Sequence, residues 1–118
     1  MLKWNHKTNM CNPVILHQYN KGYVCWCPQC DYIHVAFGTG ILLLRPEQLL
    51  NFSEVIAHDL QTYTDPASRE QKAFVYSTDS ERVRIVLNYN ELVELRRMLC
   101  ESILMYEVHQ LLKEPSGD

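Results

Sequence analysis

Ile41-Leu42-Leu43-Leu44-Arg45-Pro46-Glu47-Gln48-Leu49 is the stretch on which the fold turns. Four aliphatic residues in a row, entered from the turn Gly38-Thr39-Gly40, read as a central strand. Pro46 suits a first helical position, where its missing N–H costs nothing, so a helix opens there and runs through about Tyr63. Leu49, Phe52, Ile56, Leu60 and Tyr63 give it one apolar stripe at helical spacing. Upstream, Tyr32-Ile33-His34-Val35-Ala36-Phe37 reads as the preceding strand. The local plan is therefore strand, strand, helix.

Downstream the plan recurs. Ala73–Tyr76 and Val83–Leu87 read as strands around the turn Thr78-Asp79-Ser80-Glu81. Asn88-Tyr89-Asn90-Glu91 fits a capping box that starts a second helix, ending near Lys113. Shifting the chain by 43 positions lays Leu42 on Ile85, Leu44 on Leu87, Leu49 on Leu92, Ile56 on Leu99 and Leu60 on Ile103. Arg45–Gln48 then falls on Asn88–Glu91, which points to a ββα-ββα internal repeat. Amphipathic helices of this kind close such units by covering an antiparallel sheet. The expected class is α+β, with two helices packed on one face of an antiparallel sheet. At 118 residues, 47% hydrophobic and 21% charged, the chain has the size and composition of one globular domain. Residues 1–10 read as a loose lead-in, 11–63 as a cysteine hairpin plus the first unit, 72–113 as the second unit, and 114–118 as a frayed tail.

The hairpin comes from Val14–Tyr19 and Tyr23–Cys27, with Asn20-Lys21-Gly22 as a three-residue loop and Gly22 at its left-handed position. That register sets His17 opposite Cys25 and Ile15 opposite Cys27, and carries Cys11 towards Cys30. Five cysteines in a chain with no apolar signal segment favour reduced thiols or metal ligands over a disulfide framework. A domain of this length buries about 65% of its unfolded surface, so it needs no such staples. Cys100, between helical Leu99 and Ile103, reads as a small buried hydrophobe.

Cys27-Pro28-Gln29-Cys30 at a strand end has the form of a zinc knuckle, in which a tight turn aims two thiolates at one ion. Asp31 stands where such knuckles usually carry glycine, and there is no second Cys-x-x-Cys. The expected metal set is Cys11, Cys27, Cys30 and His34, with Cys25, His17 and His6 as rivals for the fourth place. An iron centre on Cys11, Cys25, Cys27 and Cys30 is strained, because Cys25 and Cys27 sit roughly 6.5–7 Å apart on one strand face. Dithiol redox chemistry is the second reading of Trp26-Cys27-Pro28-Gln29-Cys30, but the residues after Cys30 read as strands, so no helix dipole lowers a thiol pKa. Four reduced thiols packed along a hairpin are the third.

Other chemistries leave no trace. There is no Ser-His-Asp set, phosphate loop or paired-His helix motif. His58 and His109 read as surface or boundary residues. Eleven basic against 14 acidic residues give a net charge of −3, so Arg82, Arg84, Arg96 and Arg97 read as a solvated face and nucleic acid is not favoured. No apolar run is long enough to span a membrane. The last helix carries a second apolar stripe, Met98, Met105, Val108 and Leu112, that suits a protein partner or self-association.

Gly22-Tyr23-Val24, Trp26-Cys27-x-x-Cys30, Ala36-Phe37-Gly38-Thr39, the apolar strand and Pro46-Glu47 together resemble a family of short bacterial proteins of unknown function. The resemblance runs from about Cys11 to Leu112 and includes the second strand–helix unit, Val83–Leu99. It implies a cytoplasmic bacterial protein and brings no activity, substrate or ligand set. The combined expectation is a non-enzymatic, zinc-stabilised interaction domain. Its alternatives are a thiol redox protein using Cys27 and Cys30, or an assembly protein that binds no metal.

Overall fold

The computed structural model describes residues 12–63, 69–78 and 80–113. The chain runs β1 (Val14–Tyr19), β2 (Gly22–Cys27), β3 (Tyr32–Phe37), β4 (Gly40–Leu44), α1 (Pro46–Thr62), β5 (Phe74–Ser77), β6 (Arg84–Leu87) and α2 (Tyr89–Lys113). This is an α+β fold. Strands β1 to β4 form an antiparallel sheet in chain order, and β5 pairs with β6 in a second, two-stranded sheet.

Strand alternation sorts the first sheet into two faces. Val24 pairs with Val35 and Trp26 with Ile33, all buried, and this face meets both helices through Leu49, Ile56, Leu92, Leu95, Met98 and Leu99. The opposite face carries Cys25 across from His34 and Cys27 across from Tyr32. Helix starts follow the sequence closely. The Asn88 N–H donates to Glu91 Oε1 at 2.9 Å and the Glu91 N–H donates to Asn88 Oδ1 at 2.7 Å, a complete capping box. At α1 only half of that exchange recurs, from the Arg45 N–H to Gln48 Oε1 at 2.8 Å.

Three expectations are corrected. The strands do not form one continuous sheet: the β5–β6 hairpin is held by side chains to α1 and does not ladder onto β4. Phe74 packs on Tyr63, Tyr76 meets Phe52 edge-on, and the Tyr76 hydroxyl donates to Asp59 Oδ2 at 2.7 Å. A groove of about 590 Å³ lies between Ile41–Leu44 and the hairpin residues Val83 and Ile85.

The β1–β2 register also differs. Tyr19 pairs with Gly22 across a two-residue turn, His17 with Val24, and Ile15 with Cys25, with a bulge at Leu16. Gly22 is a strand residue, not a left-handed loop residue. Its lack of a side chain matters because a Cβ there would overlap the Ala36 carbonyl oxygen. The left-handed glycine is Gly38, at φ 63°.

In α2 the buried arc is Leu92, Leu95, Met98, Leu99 and Ser102. Met98 therefore belongs to the core and not to a second stripe. Cys100, a turn's fraction away from Leu99, is exposed. Ser102 occupies the inward position instead and satisfies its hydroxyl on the Met98 carbonyl at 2.7 Å.

Candidate functional site

Four residues, Pro28 to Asp31, turn the chain from β2 into β3. The turn closes where the Asp31 N–H donates to the Cys27 carbonyl at 2.7 Å. Asp31 takes φ 61°, a left-handed conformation that aspartate tolerates better than most residues. It thus fills the place that knuckles usually give to glycine. Its carboxylate also holds the strand before the turn, since Asp31 Oδ1 accepts the Trp26 indole N–H at 3.1 Å.

Gln29 organises the other side of the turn. Its Oε1 accepts the Asn12 N–H at 2.9 Å and lies 3.7 Å from the Cys27 thiol, which donates to it. The first described amide of the chain is thereby moored against the turn. Cys27 is buried and Cys30 exposed, so the pair has one sulfur inside and one at the surface. No helix follows Cys30. β3 begins at Tyr32, so the helix N-terminus that activates thioredoxin-type cysteines is not at this position.

Of the other candidate ligands, Cys11 and His6 lie outside the described residues. His34 is half-buried on the face shared by Cys25 and Cys27, one ladder diagonal from Cys27, which is about 7–8 Å between Cα atoms. Burial pushes the His34 imidazole pKa down. Cys25 is buried on the same face, and that burial, followed by the neighbouring Cys27, pushes its thiol pKa up. His17 pairs with Val24 on the helix-facing side, with Nδ1 3.4 Å from Glu101 Oε1. The fold therefore directs His17 away from the cysteine turn. Among the described residues no three His, Cys, Asp or Glu side chains are close enough to hold a metal ion. Cys27, Cys30 and His34 do not make a three-ligand set by themselves.

Gln29 escaped the sequence reading, and Asp31 entered it only as a departure from the usual glycine. The signal for Asp31 was present in its position after the second cysteine, where a left-handed residue is needed. Gln29 carried no such signal, since its role depends on Asn12, 17 residues upstream.

The turn is also tied to α2. The Trp26 ring, 3% exposed, meets Tyr106 edge-on at 5.1 Å and lies 6.2 Å from His109. Burial, then the nearby Asp31 and Glu47 carboxylates, raises the Tyr106 pKa. On its solvent side the same half of α2 exposes Leu104 (60%), Leu111 (74%) and Leu112 (75%). Arg82, Arg84, Arg96 and Arg97 are all exposed. Among the described residues no helix is long and apolar enough to cross a membrane.

A family described as a family of unknown function (DUF6686) matches residues 10–114. No curated protein and no solved structure matches the chain.

Proposed function

The chain belongs to this family of unknown function, so its role has to be read from its own residues, and we propose a small non-enzymatic interaction domain whose cysteine hairpin is stapled by zinc. Cys11, Cys27 and Cys30 would supply thiolates and His34 the fourth ligand, a set that closes only if the ion draws together side chains that stand apart among the described residues. One observation carries the reading. The Asn12 amide and the Cys27 thiol share a single acceptor, Gln29 Oε1, so the residue next in the chain after Cys11 is tied by its N–H to the same oxygen as Cys27. Cys30 is three residues on in the same closed turn. The left-handed Asp31 supports it further, because that conformation is what lets a Cys-x-x-Cys loop turn back on its own sulfurs.

The interaction surface in this reading is the outer half of α2. Leu104, Leu111 and Leu112 lie within one helical stripe and are exposed by 60% or more, which is unusual for three leucines of one short segment. A second copy of the chain, helix against helix, is the occupant proposed.

Metal analysis of protein purified without a chelator tests the staple. About one equivalent of zinc is expected, lost in Cys27→Ser and Cys30→Ser and weakened in His34→Ala. Less than about a tenth of an equivalent, with every thiol titratable, refutes it. Reduction of a model disulfide that Cys27→Ser abolishes would instead establish the redox alternative. Self-association predicts a solution mass above 13.9 kDa that Leu111→Glu lowers, and a concentration-independent monomer refutes that part.

A further inference from the structure

Trp26 joins two features that the proposed function treats separately. It precedes Cys27 in the chain, and its indole N–H reaches over the turn to Asp31, the residue that follows Cys30. The turn is thus closed twice, by backbone from Cys27 to Asp31 and by side chain from Trp26 to Asp31. The same ring meets Tyr106 edge-on and lies 6.2 Å from His109. Both lie beyond Ser102, the last fully buried position of α2. From there to Leu112 the described residues of the helix are half-buried or exposed, and Trp26 is a buried ring that two of them, Tyr106 and His109, meet.

We propose that Trp26 couples the Cys27–Cys30 turn to the outer half of α2, so that drawing the two sulfurs together firms the helix segment that presents Leu104, Leu111 and Leu112. The physical chain is short. Gathering Cys27 and Cys30 on one centre restricts the backbone between them and holds Asp31 in its left-handed conformation. A fixed Asp31 keeps its carboxylate on the indole N–H, a hydrogen bond strengthened by the charge of its acceptor. A fixed indole gives Tyr106 a constant surface to pack against. The described structure already has Asp31 left-handed and bonded to the indole, so closure acts by making that arrangement persist; without it Asp31 leaves the left-handed region more often, and the last turns of α2 open more often with it. The turn then controls how well the apolar patch of α2 is displayed. This rests on the reading that the turn gathers its thiols and that α2 is the contact surface.

Hydrogen exchange of residues 103–113 in the full chain tests it, with two ways of closing the turn: zinc, and phenylarsine oxide, which bridges neighbouring thiols whatever the natural ligand is. Adduct mass confirms that the arsenical is bound. In the parent and in Asp31→Asn, which keeps both the acceptor oxygen and the left-handed tolerance, closure slows exchange in this segment about tenfold. Asp31→Gly keeps the turn conformation without the acceptor, and Trp26→Phe keeps the ring without the donor. Both still close, and neither gains protection. Protection equal to the parent in Asp31→Gly and Trp26→Phe overturns the coupling, and so does closure by the arsenical that leaves the parent's segment unchanged. Protection by the arsenical but not by zinc upholds the coupling while removing zinc as the ligand.

Discussion

Replacing Gly22 separates two different needs for glycine. Its backbone, at the start of β2, runs so close to β3 that a Cβ would overlap the Ala36 carbonyl oxygen, with Ala36 C at 3.1 Å and Phe37 Cα at 3.3 Å. All three neighbours are main-chain atoms, so no change of rotamer relieves the contact. Relief requires β2 and β3 to part at a point where Gly22 pairs with both Tyr19 and Phe37. The Gly38 N–H, which donates to the Lys21 carbonyl at 3.2 Å, would be disturbed as well. Overpacking costs about 1–3 kcal/mol, and each ladder bond lost adds about 1 kcal/mol, so Gly22→Ala should cost about 3 kcal/mol. Gly22→Asn should cost at least as much, since asparagine brings the same Cβ. A left-handed loop glycine would behave in the opposite way, accepting asparagine more readily than alanine. Gly38 supplies that contrast within the same molecule. It sits at φ 63° with nothing within 4 Å of an added Cβ, so Gly38→Ala should cost about 1 kcal/mol and Gly38→Asn less. Equilibrium urea unfolding of the four variants reads these differences. With a slope near 2 kcal/mol/M, Gly22→Ala moves the midpoint by about 1.5 M. A Gly22→Asn protein about 1 kcal/mol more stable than Gly22→Ala, or a Gly22→Ala protein within about 0.5 kcal/mol of the parent, refutes the reasoning.

Three further outcomes follow from the same contacts. Leu99→Ala should destabilise by about 3 kcal/mol while its neighbour Cys100→Ser stays within about 0.5 kcal/mol, and comparable losses at both would put Cys100 back in the core. Partial burial pushes the Glu91 carboxyl pKa up, but hydrogen bonds from Lys72 and the Asn88 amide, with the charges of Lys72 and Lys21, outweigh it and leave the group below its ordinary value of 4.5. Its contribution is therefore present above that value and lost as pH falls through the lower folded one, so the stability gap between parent and Glu91→Gln should shrink on acidification; a gap independent of pH counts against the charge. Burial, then the hydrogen bond to Asp59, raises the Tyr76 pKa, so its phenol should ionise above the ordinary tyrosine range in a spectrophotometric titration. Tyr76→Phe should cost about 1–2 kcal/mol, and a neutral substitution means the hairpin is not held through this bond.

Local rules made much of the fold legible. Pro46 and the Asn88–Glu91 box mark where both helices begin, because the groups that start a helix are satisfied within four residues. The stripe from Leu49 to Leu60 lies on the buried side of α1 because a helix repeats its faces without reference to the rest of the chain. Pairing partners are not local, and there the reading failed. The β5–β6 hairpin is held where Tyr76 finds Asp59 of α1 and Phe74 finds Tyr63, the residue that follows that helix, contacts made between parts of the chain distant in sequence. Cys100 reads as buried from its hydrophobic neighbours, yet Ser102 is the residue that turns inward. A serine that bonds its own helix's carbonyl buries almost as cheaply as a small apolar residue, so the three-residue phase of the helix, and not polarity, decides which of the two turns inward.

The strand that leads to the cysteine turn shows how one bulge changes which side chains share a face. A slip of one residue moves every side chain of a strand to the other face, which is why His17 was expected beside Cys25 and is found against Glu101. The bulge at Leu16 inserts one extra residue and reverses the faces again, so Ile15 returns to the side of Cys25, its ladder partner. Below the bulge the chain is again in phase with β2 as it approaches the turn. What then positions Asn12 is not the ladder but the Gln29 side chain, which catches an amide that regular pairing alone would not reach. The bulge also gives the hairpin a reason to need tying at this end. The bulge divides the β1–β2 ladder, with Val14 and Ile15 paired on the side of the turn and His17 to Tyr19 on the other, and the Gln29 bond to Asn12 carries the attachment of the chain two residues past the last ladder pair.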